Sequence, residues 1–337
     1  MPAARPIHTR SLSVTLTHGT PERVDFTAYV LDLRKVGFAP VGGDLQGPGI
    51  IHHMRLDGRV DRAARRIESI AAQMPTVAFE AVPATGGDSC RDLIGRVDHL
   101  AGLALDGGAA RLVGAEIGGP RGCSHILTLA HLLVPTLAWA LAEDDRLQGA
   151  AAARRSGERL FRRDVTIDGS ELAPGELELT AQLNDLHFAP AEALAVPFDR
   201  FAAQREIAIT GRVAMYDLLL RDLAARQRVR SAAELRSAEW QDRSASVAAL
   251  DGRSLRAGIS AAVLEQFADP GDSAPLRDAL LMLAPALIQC FAALDLWAML
   301  SPDSASAAET GGLPDSCYMW RRGGPLTARR GEPVARR

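Results

Sequence analysis

Five residues in the first half of the chain hold most of the reactive chemistry the sequence offers: His52, His53, Cys90, Cys123 and His125. Thiolate sulfur and imidazole nitrogen are borderline-soft donors, the kind that zinc and iron prefer. Cys123 and His125 stand where a helix is expected to start, and the free backbone N–H groups and dipole there favour a thiolate. His52 and His53 adjoin on an expected strand and point to opposite faces, so at most one of them ligates an ion shared with the others. The set favours a metal, zinc or iron, and leaves open which of the adjacent histidines would ligate it. No CxxC or HExxH spacing is present, and buried cysteines and helix-start histidines also occur as plain core and cap. Spacing alone leaves both readings open.

Other residues read more simply. Lys35 is the only lysine, so a Schiff-base mechanism has one candidate or none. Asp32 ends an expected strand and recurs as Asp185, which suggests a structural turn or cap. His131 falls off the helical face of His125 and reads as a core histidine, and Cys290 reads as core within an apolar helix. The arginine-rich stretch after Arg321 reads as a solvated, mobile end.

The elements that must position these residues come from the patterning. Ser11–Thr17 and Val24–Leu33 alternate as strands around the turn Gly19-Thr20-Pro21, and Ile50–Leu56 with Arg65–Ile70 or Thr76–Ala81 gives another extended pair. Beyond Pro83 the period changes: Arg91–Leu105, Ala109–Ile117 and Ser124–Glu143 read as helices, the last with Ser124 as N-cap. Phe38-Ala39-Pro40 recurs as Phe188-Ala189-Pro190, and Val134-Pro135-Thr136-Leu137 as Ala284-Pro285-Ala286-Leu287, each 150 residues later. The expected fold is α+β, in two tandem pseudo-symmetric units, each a small antiparallel sheet followed by helices. The expected boundaries are 10–148 for the unit carrying the site, 160–300 for a degenerate second unit and 301–337 for a C-terminal tail. At the corresponding positions the second unit has Asp272-Ser273-Ala274-Pro275 in place of Gly122-Cys123-Ser124-His125, so one half is chemically equipped and the other supports it.

Composition narrows the class. The chain has 337 residues, 47% apolar, with a net charge of −3, which is long enough for a large buried core. Near-neutral charge and only 5% aromatics argue against a nucleic-acid binder. The apolar runs Ile126–Ala142 and Ala279–Leu300 are interrupted by His131, Pro135, Pro285, Gln289 and Asp295, so buried helices are expected and no membrane span. With no leader visible at Met1–Arg10, the expected compartment is the cytoplasm, with four reduced cysteines. The expected partner is a small-molecule substrate, and self-association as a homo-oligomer stays open.

Ile51-His52-His53-Met54, Phe79-Glu80-Ala81, Cys90, Gly122-Cys123-Ser124-His125-Ile126 and Asp315-Ser316-Cys317-Tyr318 together resemble a bacterial family known only as domain of unknown function 2889. His53 stands where that family has Asp. The motif order is in turn similar to iron–sulfur scaffold proteins of the NifU and SufE type. That resemblance implies zinc, iron or a nascent cluster at His52, Cys90 and Cys123, with His125 as a further ligand, and His53 or His125 as the group that moves protons. The late motif implies that the tail folds back, with Cys317 or Tyr318 lining the same site. The function expected on these grounds is a metal-dependent enzyme acting on a small, largely apolar aromatic or steroid-like catabolite. With almost no lysine, carbon–carbon cleavage needs a Lewis acid, so the expectation is a lyase of retro-aldol, aldehyde-releasing type. A metal-dependent hydrolase and a non-catalytic metal or iron–sulfur carrier are the alternatives.

Overall fold

The computed structural model describes residues 4–37, 46–149, 153–191, 201–231, 234, 237–300 and 312–329, the side chains of 292 and 295–300 excepted. Four long strands come first: β1 (Arg5–Thr20), β2 (Arg23–Arg34), β3 (Gly49–Asp61) and β4 (Arg66–Thr76). Helices α1 (Ala109–Ile117) and α2 (Ser124–Gln148) follow. Four more long strands are β5 (Arg159–Ala173), β6 (Glu176–Phe188), β7 (Phe201–Ala214) and β8 (Leu220–Ser231), with the short β9 (Gln241–Asp242). Then come α3 (Ser244–Val247), α4 (Ile259–Gln266), α5 (Ala274–Leu281), α6 (Leu283–Leu300) and, in the tail, α7 (Pro325–Ala328).

Among the described residues all nine strands belong to one antiparallel sheet in the order β4-β3-β2-β1-β5-β6-β7-β8-β9. This overturns the expectation of two tandem units with separate small sheets, and with it the small sheet implied by the iron–sulfur scaffold resemblance. The physical reason lies in β1 and β5. Each would be an edge strand of a four-stranded meander, with a row of unpaired backbone groups. They pair with each other instead, from Arg5↔Glu171 to Thr17↔Arg159. Alternation within a strand does not say which strand lies beside it, so this seam left no mark in the pattern.

Alternation does fix the faces. In β1 and β2 the even-numbered residues turn to the helices: Leu12, Val14, Leu16, Val24, Phe26, Ala28 and Val30 are all at most 2% exposed. Odd-numbered residues face away and form cross-strand polar pairs such as Thr27–Asp57 and Arg59–Asp25. Helix α2 lies on β1, β2, β3 and β5, and α6 on β1, β5 and β6. At Gly169 the approach of α6 is so close that a Cβ would sit 2.2 Å from Cys290 Sγ. Ser124–Gln148 and Gly271–Phe291 are long and apolar enough to cross a membrane, but 67% and 61% of their apolar windows are buried within the protein, as core helices are.

Local expectations fare unevenly. The region read as a helix over 91–105 holds only a short 3-10 turn, Ile94–Leu100, and the N-cap of α2 is Cys123, not Ser124. The tail is no solvated end as far as Arg329: Leu326 is buried and Arg329 donates to the Ala84 carbonyl at 2.9 Å. Phe38-Ala39-Pro40 of the repeat, Met1–Ala3 at the N-terminus and 301–311 and 330–337 of the tail lie outside the described residues.

Candidate metal centre

The inward face of the sheet is not wholly apolar. Near the ends of β1, β2 and β3 it carries His8, Arg10, Asp32, Arg34 and His52, each at most 5% exposed. Asp32 is the hub. Arg10, its partner across β1 and β2, donates from Nε to Oδ1 at 2.8 Å and from its terminal nitrogen to Oδ2 at 2.9 Å. His8 Nε2 lies 3.2 Å from Oδ1, His52 Nδ1 3.2 Å from Oδ2, and His125 Nε2 3.3 Å from the same Oδ2. His125 arrives from the first turn of α2, and its ring lies against that of His52 with centroids 3.6 Å apart.

Burial alone would raise the Asp32 carboxyl, but the Arg10 charge and the contacts of His52 and His8 hold it well below the usual carboxylate range. The imidazoles move the other way. Burial lowers His52 despite Asp32, and burial with repulsion from His52 drives His125 well below its ordinary value. At neutral pH the corner therefore holds one carboxylate, the guanidinium groups of Arg10 and Arg34, and neutral imidazoles. Neutral imidazole is the form that ligates metals.

Donor atoms of Asp32, His52 and His125 all lie within 4.8 Å of one another. His52 Nδ1 and His125 Nε2 are buried and make no well-aligned hydrogen bond, although both point at Oδ2. Two buried ring nitrogens converging on a carboxylate oxygen without hydrogen-bond geometry are what a cation between them would satisfy. Two imidazoles and a carboxylate suit zinc or ferrous iron. The residues present fit a divalent metal.

The expected ligands divide. His52 and His125 belong to the trio, and Asp32 replaces the cysteines. Cys90 and Cys123 line the adjoining cavity but are outside the cluster; Cys123 Sγ stands 3.8 Å from His125 Nδ1 and 3.7 Å from Met54 Sδ. Burial pushes the Cys123 thiol up to about 12 and Cys90 well above its ordinary value, further raised by Cys123 and Cys317. His53 is a correction: strand alternation turns it to the other face of the sheet, edge-on to Tyr29 with ring centroids 6.4 Å apart, so it serves nothing at this site. Lys35 pairs with Asp168 at 3.4 Å and does not line the cavity.

The tail does return. Tyr318 N donates to the Gly122 carbonyl at 2.9 Å, Tyr318 Oη to Asp88 at 3.1 Å, and Arg321 to Asp88 at 2.8 Å. This seats Cys317 and Tyr318 in the wall of the cavity that His52, Cys90, Cys123 and His125 also line. The cavity measures about 390 Å³, and Met215, Leu218, Leu255, Leu287 and Phe291 of the second half complete its apolar walls.

Sequence reasoning missed Asp32 as a site residue, and missed His8 and Arg10 altogether. A signal was present: Arg10 and Asp32 occupy inward positions of strands that otherwise alternate apolar-in, which demands a buried partner for each charge. The pattern recurs in β5 and β6, where Arg163 grips Asp185 at 2.7 and 2.8 Å. There Arg163 also donates to Thr136 and Asp278.

Residues 8–138 match the model of a family described as a protein of unknown function (DUF2889), a span that contains Asp32, His52, Cys90, Cys123 and His125 and ends before β5. No curated protein matches the chain.

Proposed function

We propose that this chain is a metal-dependent enzyme that cleaves a small, largely apolar molecule in the cavity beside Asp32, His52 and His125. The observation that carries the reading is the placement of that buried trio beside an apolar cavity of about 390 Å³, a volume suited to one small ligand. The bound ion would supply Lewis-acid polarisation of a substrate oxygen. The chain's own residues do the rest. Arg10 fixes the carboxylate of Asp32, Asp32 orients both imidazoles, and the apolar walls exclude water, which strengthens every charge interaction inside.

The favoured reaction is a retro-aldol cleavage releasing a small aldehyde. A hydroxyl proton leaves, the carbon–carbon bond breaks, the hydroxyl carbon departs as the aldehyde, and the other carbon takes up a proton. No water and no oxidant are consumed. Such cleavage is served by either an iminium or a Lewis acid, and the single lysine is engaged with Asp168 away from the cavity. A carrier would present its ligands to a partner, whereas Asp32, His52 and His125 are at most 8% exposed.

A second reading, hydrolysis, rests on Cys123 Sγ lying 3.8 Å from His125 Nδ1 and Asp32 Oδ2 3.3 Å from His125 Nε2, the order of a nucleophile, its base and a carboxylate behind the base. One experiment tests and separates these readings: elemental analysis of the purified protein, followed by assay against hydroxylated aromatic compounds and esters before and after chelation. About one zinc or iron per chain and chelator-sensitive aldehyde release support the lyase. Metal-free ester hydrolysis abolished by Cys123→Ala supports the hydrolase.

A further inference from the structure

The two halves of the sheet carry matching rows of inward polar residues, with one exchange. Asp32 pairs across the strands with Arg10 on one side and His52 on the other, and Asp185 with Arg163 and Arg205. A guanidinium thus stands where the metal corner has an imidazole. Arg163 is taken up by Asp185 and Asp278, whereas Arg205 lines a separate recess beside β7, β8 and β9. The recess measures about 480 Å³ and shares no wall residue with the cavity of the metal corner.

Three arginines line it, each from a different element: Arg146 from the last turn of α2, Arg205 from β7 and Arg243 from the start of α3. Each has partners within the chain. Arg146 holds Glu143 at 2.9 Å. Arg205 donates to the Asp272 carbonyl at 2.9 Å, stands 3.7 Å from the Asp272 carboxylate and lies over the Trp139 ring at 5.9 Å. Arg243 donates to the Ser273 hydroxyl at 3.2 Å. The Asp272 side chain is 93% exposed, so its pairing with Arg205 is loose and screened by salt. Arg243 has no described carboxylate within ion-pair distance, and its Nε is buried without a hydrogen bond. Two carboxylates therefore oppose three guanidinium groups.

Gln227 is the independent sign of a ligand. It sits on the inward face of β8 and lines the recess at 5% exposure, and its Oε1 is buried without a hydrogen bond. Its carboxamide bonds to no described residue, although its strand partner Gln241 shares the wall. A buried amide left this way is unfavourable until something in the recess meets it. Its N–H groups add to the donors of the three forks, so the group that completes the recess is a negatively charged acceptor with several oxygens. A flat carboxylate fills one fork. A phosphate group presents tetrahedral oxygens and up to about two charges, and meets forks arriving from three elements at once.

We propose that this recess is a phosphate-binding site, with the phosphate group held by Arg146, Arg205, Arg243 and Gln227. The test titrates inorganic phosphate, acetate and phenyl phosphate calorimetrically into the full chain, in phosphate-free buffer at physiological salt. It is run with metal loaded and after chelation, because a bound metal also takes phosphate. One phosphate per chain is expected to saturate in both preparations, at least about tenfold more tightly than acetate. Tighter binding of inorganic phosphate than of phenyl phosphate identifies the free ion as the ligand, and the reverse order an organic ester. Arg243→Gln is expected to weaken phosphate at least about tenfold, and Arg205→Gln to weaken it further. Arg243 gives up only a hydroxyl contact, so its variant folds and keeps the test decisive if Arg205→Gln, which loses its place on Trp139, does not. Gln227→Leu is expected to weaken phosphate about threefold with no loss of thermal stability, because its amide satisfies nothing in the free chain. Failure to saturate, acetate binding as tightly as phosphate, affinity unchanged by Arg243→Gln or by Gln227→Leu, or binding confined to the metal-loaded protein overturns the proposal.

Discussion

Arg10 and Asp32 face each other across β1 and β2 in a two-pronged ion pair, 2% and 0% exposed, and every polar group of the site is arranged around it. A buried pair of this kind contributes little net stability while both partners are present, because each charge has given up its hydration. Removing one partner leaves the other uncompensated and is strongly destabilising.

Asp32→Asn is therefore expected to cost about 3–5 kcal/mol in chemical denaturation, and to abolish metal binding in whatever fraction remains folded. Asp185→Asn removes the corresponding partner of Arg163 and is expected to destabilise less, because Asp278 still faces that guanidinium. It should leave metal content unchanged. Denaturant midpoints with elemental analysis of both variants check the pair.

His52→Ala and His125→Ala are each expected to lower bound metal by at least about tenfold, more than the loss of an outer-shell partner costs. His53→Ala should retain it, since that side chain lies on the other face of the sheet. Equal loss in all three, measured after dialysis against a fixed metal concentration, would remove Asp32, His52 and His125 as the ligand set.

What the sequence allowed a reader to see follows from the range of each signal. Strand alternation is local, so β1, β2 and β3 and the split between His52 and His53 were legible. The helix period was legible where it ran uninterrupted, as in α1 and α2, and misled over 91–105, where the apolar residues close only a 3-10 turn. The β1–β5 seam pairs residues such as Leu12 and Val165, far apart in the chain, and has no sequence period. The recurrence of Asp32 as Asp185 suggests one structural role for both, and that equivalence hides the site. The structure gives them different neighbours: three imidazoles beside the arginine at Asp32, and an arginine that also reaches Thr136 and Asp278 at Asp185.

Acid should destabilise the fold well above the carboxylate range. Burial lowers His8, His18, His52, His125 and His131, and brings His187 down to about 3. The unfolded chain takes up protons at these positions below about pH 6.5, while the folded chain does not until its lower values are reached. The unfolded state thus binds more protons in that window, and stability falls as pH falls from about 6.5 toward 3. The slope is at most about 1.4 kcal/mol per pH unit for each such histidine. Urea midpoints at pH 7 and pH 5 should show the loss, and His187→Phe, which lies outside the metal site, should shrink it.

Cys317→Ser is expected to keep its full metal content, because Cys317 lines the cavity without joining the trio, and to lose about 1 kcal/mol for the hydroxyl placed in a largely apolar wall. Loss of metal in this variant would extend the centre to the tail.

Gly169→Ala is expected to destabilise the protein by about 1–3 kcal/mol, since the added methyl meets Cys290 where α6 crosses β5. Combining it with Cys290→Ala should recover part of that loss. A double-mutant cycle by thermal melting measures the coupling.

The β1–β5 seam bears on how small a working version of this protein can be. The stretch matched by the family model keeps Asp32, His52 and His125 together, but cutting the chain there removes Leu218, Leu255, Leu287 and the returning tail from the cavity. It also strips β1 of the neighbour that satisfies its backbone from His8 to Thr17. Such a fragment would carry the ligands of a metal on an open, adhesive border. Two copies joined β1 to β1 would rebuild the middle of the sheet, giving a dimer with two metal corners and no complete binding chamber in either.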